Sequence, residues 1–405
     1  MNKNLIALAV STAFALPAMA DVTVGPLAIY GTATTALEVI TIGSTGAITD
    51  TSKISQNRLM DQTSRLGFKA SPDLGGGLKG LVQLESRLVI GNGGNNTQDS
   101  AELGSRNTFA GLSSSEFGTL RLGRYDSAYK LSPKLGSSFS YNSLNDSSSE
   151  IGKDQIMMRL GNRSADSINY DSPKWNGFSA QVSYNLGKDS DNALKAASFP
   201  GAGVAKEATS TAAATLMPEF SAALAYANGP FAVSAAYITV SNAAWELGAS
   251  SARKAQWNTT SGAGFTLTGT TLSAQYTMGE FAIGGIGEVI RSSLTGVSTA
   301  LNFDQSQAAY SLVGAYKSGN HEAHIRYGMA AEVSGTKGTA VVTGGTEGRQ
   351  FGLAYAYAFN DMVKLVTSFT TLKNGVNAVY TSGSAFSMTK GATLDTFALG
   401  LTASF

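Results

Sequence analysis

The chain has 405 residues, 29 Lys and Arg against 28 Asp and Glu, 14% charged residues overall and no Cys. An even charge balance leaves no basic stripe to hold phosphates, which argues against a nucleic-acid partner, and the lack of Cys fits an exported protein. After the first twenty residues no apolar run is long enough for a membrane-spanning helix, so residence in a membrane requires a closed barrel.

Residues 1–20 read as a secretory signal peptide. Lys3 supplies the positive start, Leu5 to Leu16 the apolar stretch, and Ala18-Met19-Ala20 an A-x-A cleavage site before Asp21. The expected organisation is therefore 1–20 as signal peptide and 21–405 as one β-barrel domain. Without Lys3, basic and acidic residues balance at 28 each.

Seven short turn signals follow: Pro72 to Gly77, Ser115 to Gly118, Ser172 to Gly177, Ala227 to Pro230, Met278 to Glu280, Lys317 to Asn320 and Phe359 to Asp361. Between them lie eight longer stretches rich in Gly, Ser, Thr, Asn and Asp, centred near residues 50, 97, 142, 203, 253, 298, 338 and 382. Seven short turns and eight long loops join sixteen strands, with both termini on the short-turn side. That segregation predicts an all-β, sixteen-stranded antiparallel transmembrane barrel of the bacterial outer membrane, with its short turns toward the periplasm.

The strand faces agree. Phe178, Ala180, Val182 and Tyr184 alternate with Ser179, Gln181 and Ser183, while Phe220, Ala222, Leu224 and Tyr226 alternate with Ser221, Ala223 and Ala225. After Asn320, Ala323, Ile325 and Tyr327 alternate with Glu322, His324 and Arg326. Three ionisable groups in a sandwich core would cost several kcal/mol unless paired, roughly, whereas a watery lumen accepts them. The last strand sets Phe397, Leu399, Leu401, Ala403 and Phe405 against Thr396, Ala398, Gly400, Thr402 and Ser404. Phe117, Trp175, Phe231, Tyr276, Phe281, Tyr316, Tyr357, Phe359 and Phe405 cluster at the short-turn ends, as a membrane-interface girdle requires.

Two segments carry more than general barrel logic: Ser64-Arg65-Leu66-Gly67-Phe68-Lys69-Ala70 followed by Asp73-Leu74-Gly75-Gly76-Gly77-Leu78-Lys79-Gly80, and Arg106-Asn107-Thr108-Phe109-Ala110-Gly111-Leu112 followed by Glu116 to Arg124. Together they resemble the second to fifth strands of the general diffusion porins of Gram-negative outer membranes, above all the beta-proteobacterial branch. Asn169-Tyr170-Asp171-Ser172-Pro173 is similar to that branch's sixth strand and turn. The resemblance implies a homotrimer of barrels in contact with outer-membrane lipid and lipopolysaccharide, whose third long loop folds into the lumen. Here that loop runs from about Tyr125 to Met158, with Asp126, Asp146, Glu150 and Asp154 as its acids and Lys130, Lys134 and Lys153 among them. It lacks a Pro-Glu-Phe-Gly-Gly tip. By motif position Arg65 and Arg106 match two rungs of the family's basic ladder, Arg163 a third, with Arg121 and Lys69 on the same lumen-facing parity. Acids on one wall and bases on the other would set up a transverse field that favours small hydrophilic solutes and ions over apolar ones. The terminal Phe405 resembles the signal read by the barrel assembly machinery.

Other constellations imply no chemistry. His321 and His324 lie three apart on a strand and point to opposite faces, which argues against a shared metal. Gly75-Gly76-Gly77 is a turn with no Lys-Ser/Thr pair after it. Asn145 to Glu150 offers oxygens but no known calcium spacing. The expected function is a water-filled channel for passive diffusion, without cofactor or enzymatic activity. A substrate-specific channel is the near alternative and a barrel adhesin or outer-membrane enzyme the distant one.

Overall fold

The computed structural model describes residues 22–24, 26–43, 54–61, 64–90, 103–132, 156–161, 163–186, 218–241, 264–295, 302–337, 340–341, 344–380 and 390–405. The leader and the central part of the third long loop, with Asp146, Glu150 and Asp154, lie outside the described residues.

Sixteen antiparallel strands form the barrel: β1 (Leu27–Gly43), β2 (Ile54–Asp61 continued by Arg65–Ala70), β3 (Leu78–Arg87), β4 (Thr108–Ser114), β5 (Gly118–Asp126), β6 (Arg163–Asp171), β7 (Phe178–Asn185) and β8 (Glu219–Asn228), then β9 (Phe231–Ser241), β10 (Gly264–Met278), β11 (Phe281–Thr295), β12 (Phe303–Ser318), β13 (His321–Ala330), β14 (Gly348–Ala358), β15 (Val363–Asn374) and β16 (Thr393–Ser404). Each pairs with its neighbours in sequence, and β16 closes on β1 from Gly43↔Thr393 to Thr32↔Ser404. All seven short turns connect strands where the sequence places them. The sixth long stretch, centred near residue 298, lies between the end of β11 at Thr295 and the start of β12 at Phe303.

Side-chain alternation sets the two faces. In β9, Phe231, Val233, Ala235 and Tyr237 are exposed on the outside while Ala232, Ser234, Ala236 and Ile238 are buried inside. The short-turn rim carries outward aromatics, with Phe117 75% exposed and Trp175, Phe231, Phe281 and Phe359 each 56%. Several pack as cross-strand pairs: Phe178 with Tyr226, Phe231 with Tyr276 and Phe281 with Tyr316, at centroid separations of 4.6–4.9 Å. Amphipathic rings at one level suit a headgroup boundary. At the seam, Phe405 exchanges both backbone hydrogen bonds with Gly31, at 2.9 and 3.0 Å. Its ring lies so close that a Cβ on Gly31 would come within 2.5 Å of it.

The wall is uneven in height. β4 has seven residues and β7 eight, whereas β10 and β11 have fifteen each and β12 sixteen. Inside, an apolar cluster joins Ile40 and Ile42 of β1, Ile286 of β11, Ala309 of β12, Leu372 of β15 and Leu394 of β16. Ile156 and Met157, from the return of the third long loop, complete it together with Ala378, Tyr380 and Ala392 of the eighth. Burying two such side chains fully contributes about 1.5–3 kcal/mol each.

Candidate functional site: the inner wall of the barrel

The inner face of β1 to β6 is a run of linked ion pairs. Arg58 of β2 donates to Glu38 of β1 at 2.7 Å, both side chains being almost fully buried. Arg87 of β3 lies 3.6 Å from Asp61, which also accepts the backbone N–H of Ser64. Arg65 and Arg87 are directly opposite in the β2–β3 register, a placement that repels unless each cation has its own acid. Arg65 has Glu85, 3.9 Å away, and Arg106 reaches the same carboxylate at 2.6 Å. Tyr30 of β1 donates its hydroxyl to Glu85 at 3.0 Å.

Two further clusters continue the wall. Asp126, at the end of β5, is bound by Lys130 at 2.6 Å and Arg163 at 3.1 Å, and accepts from the Asn107 amide. Arg163 also donates to the side-chain amide oxygen of Asn107 at 2.6 Å. Arg121 of β5 pairs with Asp171 of β6 at 2.5 Å, and Gln181 donates to that same carboxylate. Its guanidinium lies over the rings of Tyr125 and Phe109, 4.6 and 5.5 Å from their centroids. Lys69 is exposed with its ammonium 5.1 Å from the ring centroid of Tyr30.

The sequence expectations meet this geometry unevenly. Arg65 and Arg106 come together on one carboxylate, Arg163 joins Asp126, and Arg121 and Lys69 stand beside aromatic rings. Asp126 closes β5 and lies beside Arg163 on the same wall. The acids that neutralise the basic residues, Glu38, Asp61, Glu85 and Asp171, were not singled out in the sequence. Glu85 was open to detection, since Gln83, Glu85 and Arg87 share the period-2 parity of β3.

The opposite stretch of inner wall, on β7 to β12, mixes small, hydroxylated and apolar residues with the amides Gln181, Gln275, Gln305 and Gln307 and the buried acids Glu219 and Glu288, and the described ends of the third long loop lie against it. Ser127 caps the short helix α1 (Ala128–Leu131) by accepting from the Lys130 N–H. The Ala128 N–H donates to the Ser183 hydroxyl of β7 and the Tyr129 N–H to Ser221 of β8. The Tyr129 hydroxyl donates to Glu288 of β11, whose other oxygen accepts the Met158 N–H at 3.1 Å. Burial, reinforced by the Glu288 charge, holds the Tyr129 phenol well above its ordinary range, so it keeps its proton and remains a donor. Arg159 donates to Gln307 of β12 at 2.7 Å, and Gln307 in turn donates to the Tyr380 hydroxyl at 2.6 Å.

The two histidines behave as expected of opposite faces. His321 bonds the Tyr355 hydroxyl outside, while His324 bonds Glu322 inside at 2.9 Å. Among the described residues no group of three His, Cys, Asp or Glu could hold a metal ion.

Comparison with known proteins places this architecture. The major outer membrane protein P.IA of Neisseria meningitidis serogroup A is 33% identical over 187 residues, covering 44% of this chain and 43% of that protein. P.IB of serogroup B, strain H44/76, is 33% identical over 195 residues, covering 48% and 51%. The chain thus spans about half the length of the curated relatives it matches. Among solved structures, the anion-selective porin from Comamonas acidovorans superposes with a TM-score of 0.66 at 21% identity, covering 94% of this chain and 99% of that one. Salmonella typhi OmpF gives 0.58 at 17% identity, covering 94% and 97%. At such identities the likeness is one of fold. A family model described as Gram-negative porin matches residues 7–377, and the chain accordingly belongs to the Gram-negative porin family.

Proposed function

We propose that this protein is an outer-membrane channel through which small hydrophilic solutes and ions diffuse passively, without cofactor or chemistry. The observation that carries the reading is the closed sixteen-stranded barrel with an apolar, aromatic-rimmed outside and a charged inner wall. A barrel of this size leaves an aqueous lumen. In this reading the third loop folds inward from its two docked ends and narrows that lumen opposite Arg65 and Arg106. Swelling of proteoliposomes in a series of neutral sugars tests it: the rate should fall steeply with sugar size, and no swelling in any sugar overturns it.

Among the described ion pairs, Arg65 and Arg106 meet at one carboxylate and Lys130 and Arg163 at another, while Glu38 and Arg58, Asp61 and Arg87, and Asp171 and Arg121 lie side by side. A wall lined in this way favours ions and polar solutes over apolar ones.

A homotrimer is supported by the low side of the wall. Seven residues of β4, tilted in a barrel, span about 18 Å, short of the roughly 25 Å apolar band. A neighbouring copy on that side would cover what lipid alone meets poorly, and a trimer form is among the similar structures, OmpT of Vibrio cholerae with a TM-score of 0.59 at 16% identity. Lipopolysaccharide would then meet the tall side, and the barrel assembly machinery would recognise Phe405 before the seam closes over Gly31. A substrate-specific channel is the second reading, favoured by the aromatic rings of Phe109 and Tyr125 beside Arg121 on the inner wall. Block of current by an aromatic carboxylate but not by acetate would favour it.

A further inference from the structure

We infer that Arg349 and Lys373, on the outside of the barrel, form a seat for the phosphate of an outer-leaflet lipid, so that the counter-ion of this cation pair comes from the membrane. The inference rests on the outer-membrane reading above and gives a place to the lipopolysaccharide contact proposed there. The two residues are direct partners across β14 and β15. Both are exposed and point outward, since their neighbours Gln350 and Leu372 are buried inside. Arg65 and Arg87 stand in the same relation on the inner wall, and there each cation has its own acid. Arg349 and Lys373 make no ion pair among the described residues. Two acids flank the pair without joining it. Asp395 lies one row toward the short turns, beside Thr371, and the carboxyl of Glu347, one row the other way, packs on Gly375. Like charges directly opposite on one face destabilise a sheet, and an anion bridging them removes that penalty.

Height and surroundings identify the source of the anion. Arg349 stands nine residues above Ala358, the last of β14, and Lys373 ten above Val363, the first of β15. At about 3.4 Å per residue and a tilt of about 40°, both lie roughly 25 Å above the short-turn rim, where the apolar band ends. Arg291 of β11, ten residues above Phe281, reaches the same height on the outer face, between Thr268 and Ser306 and with Asp304 one row further up. Beneath the pair the outer face is apolar, with Phe351 and Leu353 on β14, Phe369 on β15 and Phe397 on β16. Acyl chains can lie along such a face while a phosphate stands level with the cations. A guanidinium binds two phosphate oxygens through its parallel N–H groups, and an ammonium adds a point charge. A phosphate monoester, with a charge of about −1.5 to −2, satisfies both.

The test measures binding of diphosphoryl lipid A to the full-length, refolded protein in uncharged detergent micelles. The wild type is compared with the double variant Arg349→Gln/Lys373→Gln, with Arg349→Lys and with Arg291→Gln. The double variant should bind about tenfold more weakly or worse. Arg349→Lys keeps the charge without the paired donors, so it should lose part of that affinity, and it keeps the test open if the double variant does not fold. Arg291→Gln should stay close to the wild type. Lipid A stripped of its phosphates should bind the wild type as weakly as diphosphoryl lipid A binds the double variant. Wild-type affinity in both the double variant and Arg349→Lys would overturn the seat, and so would equal binding of the dephosphorylated lipid. Displacement of lipid A by millimolar inorganic phosphate would overturn the assignment to a lipid. Heat-modifiable gel mobility reports folding separately. Absence of conductance in the wild type would overturn the channel reading while leaving the lipid seat to be judged on its own.

Discussion

The two inner walls of this barrel solve the same problem in different ways. On β1 to β6 the lumen face carries arginines, each beside a carboxylate, and on β7 to β12 it carries serine, alanine, glutamine and aliphatic side chains with the buried acids Glu219 and Glu288. Ion pairs dominate the first wall, and hydroxyl and apolar surface is placed where Tyr129 and the returning end of the third loop rest on the second. The contrast shows that a polar lumen is not uniform: one side is an electrostatic surface and the other is a docking bed. Guanidinium groups stay charged at any working pH, so the first wall offers a permanent field.

That contrast can be broken most severely at the seam both walls depend on. Gly31→Leu would drive a side chain into the ring of Phe405, and overpacking of this kind costs roughly 1–3 kcal/mol. The yield of heat-modifiable, folded barrel should fall sharply, with Phe405→Ala giving a smaller loss, as read by gel mobility without boiling. On the docking wall, Gly269→Leu should prise Tyr129 and Leu160 away and raise channel noise, while leaving the reversal potential almost unchanged. On the charged wall the opposite pattern is expected. Arg106→Gln removes one charge from the Arg65–Glu85–Arg106 cluster, and a charge about 7 Å from the ion path in water-like surroundings is worth ~0.6 kcal/mol. The anion-to-cation permeability ratio should drop by about threefold with no added noise, measured as a shift in reversal potential under a salt gradient.

The smallest effect is alkaline. Since burial and Glu288 raise the Tyr129 phenol above its ordinary value of 10.0, its docking is at full strength below about pH 10 and weakens as pH rises toward the folded-state value. Noise should be flat from pH 7 to 9 and climb only above about pH 10, and Tyr129→Phe should remove that dependence on pH.

Much of the architecture was legible because it is encoded locally. Segments such as Pro72 to Gly77 and Lys317 to Asn320 carry turn chemistry in a few adjacent residues, and the two faces of β16 follow from a period of two. The candidate site was legible only by halves. Arg65 and Arg106 were recognisable from motif and parity, but the carboxylate that joins them lies on a third strand, 21 residues from Arg106. The pairing of Tyr129 with Glu288 spans 159 residues, and no local pattern connects a short helix with a strand that it meets only when the barrel closes. Asp126 reads as the first acid of a loop, and past a register shift between Gly123 and Tyr125 it closes β5 opposite Arg163.

The central claim is a water-filled passage through the barrel, and planar-bilayer recording of the wild-type protein under a salt gradient tests it most directly. Stepwise insertion in groups of three conducting levels is the predicted result. A folded, inserted barrel that passes no current would contradict it.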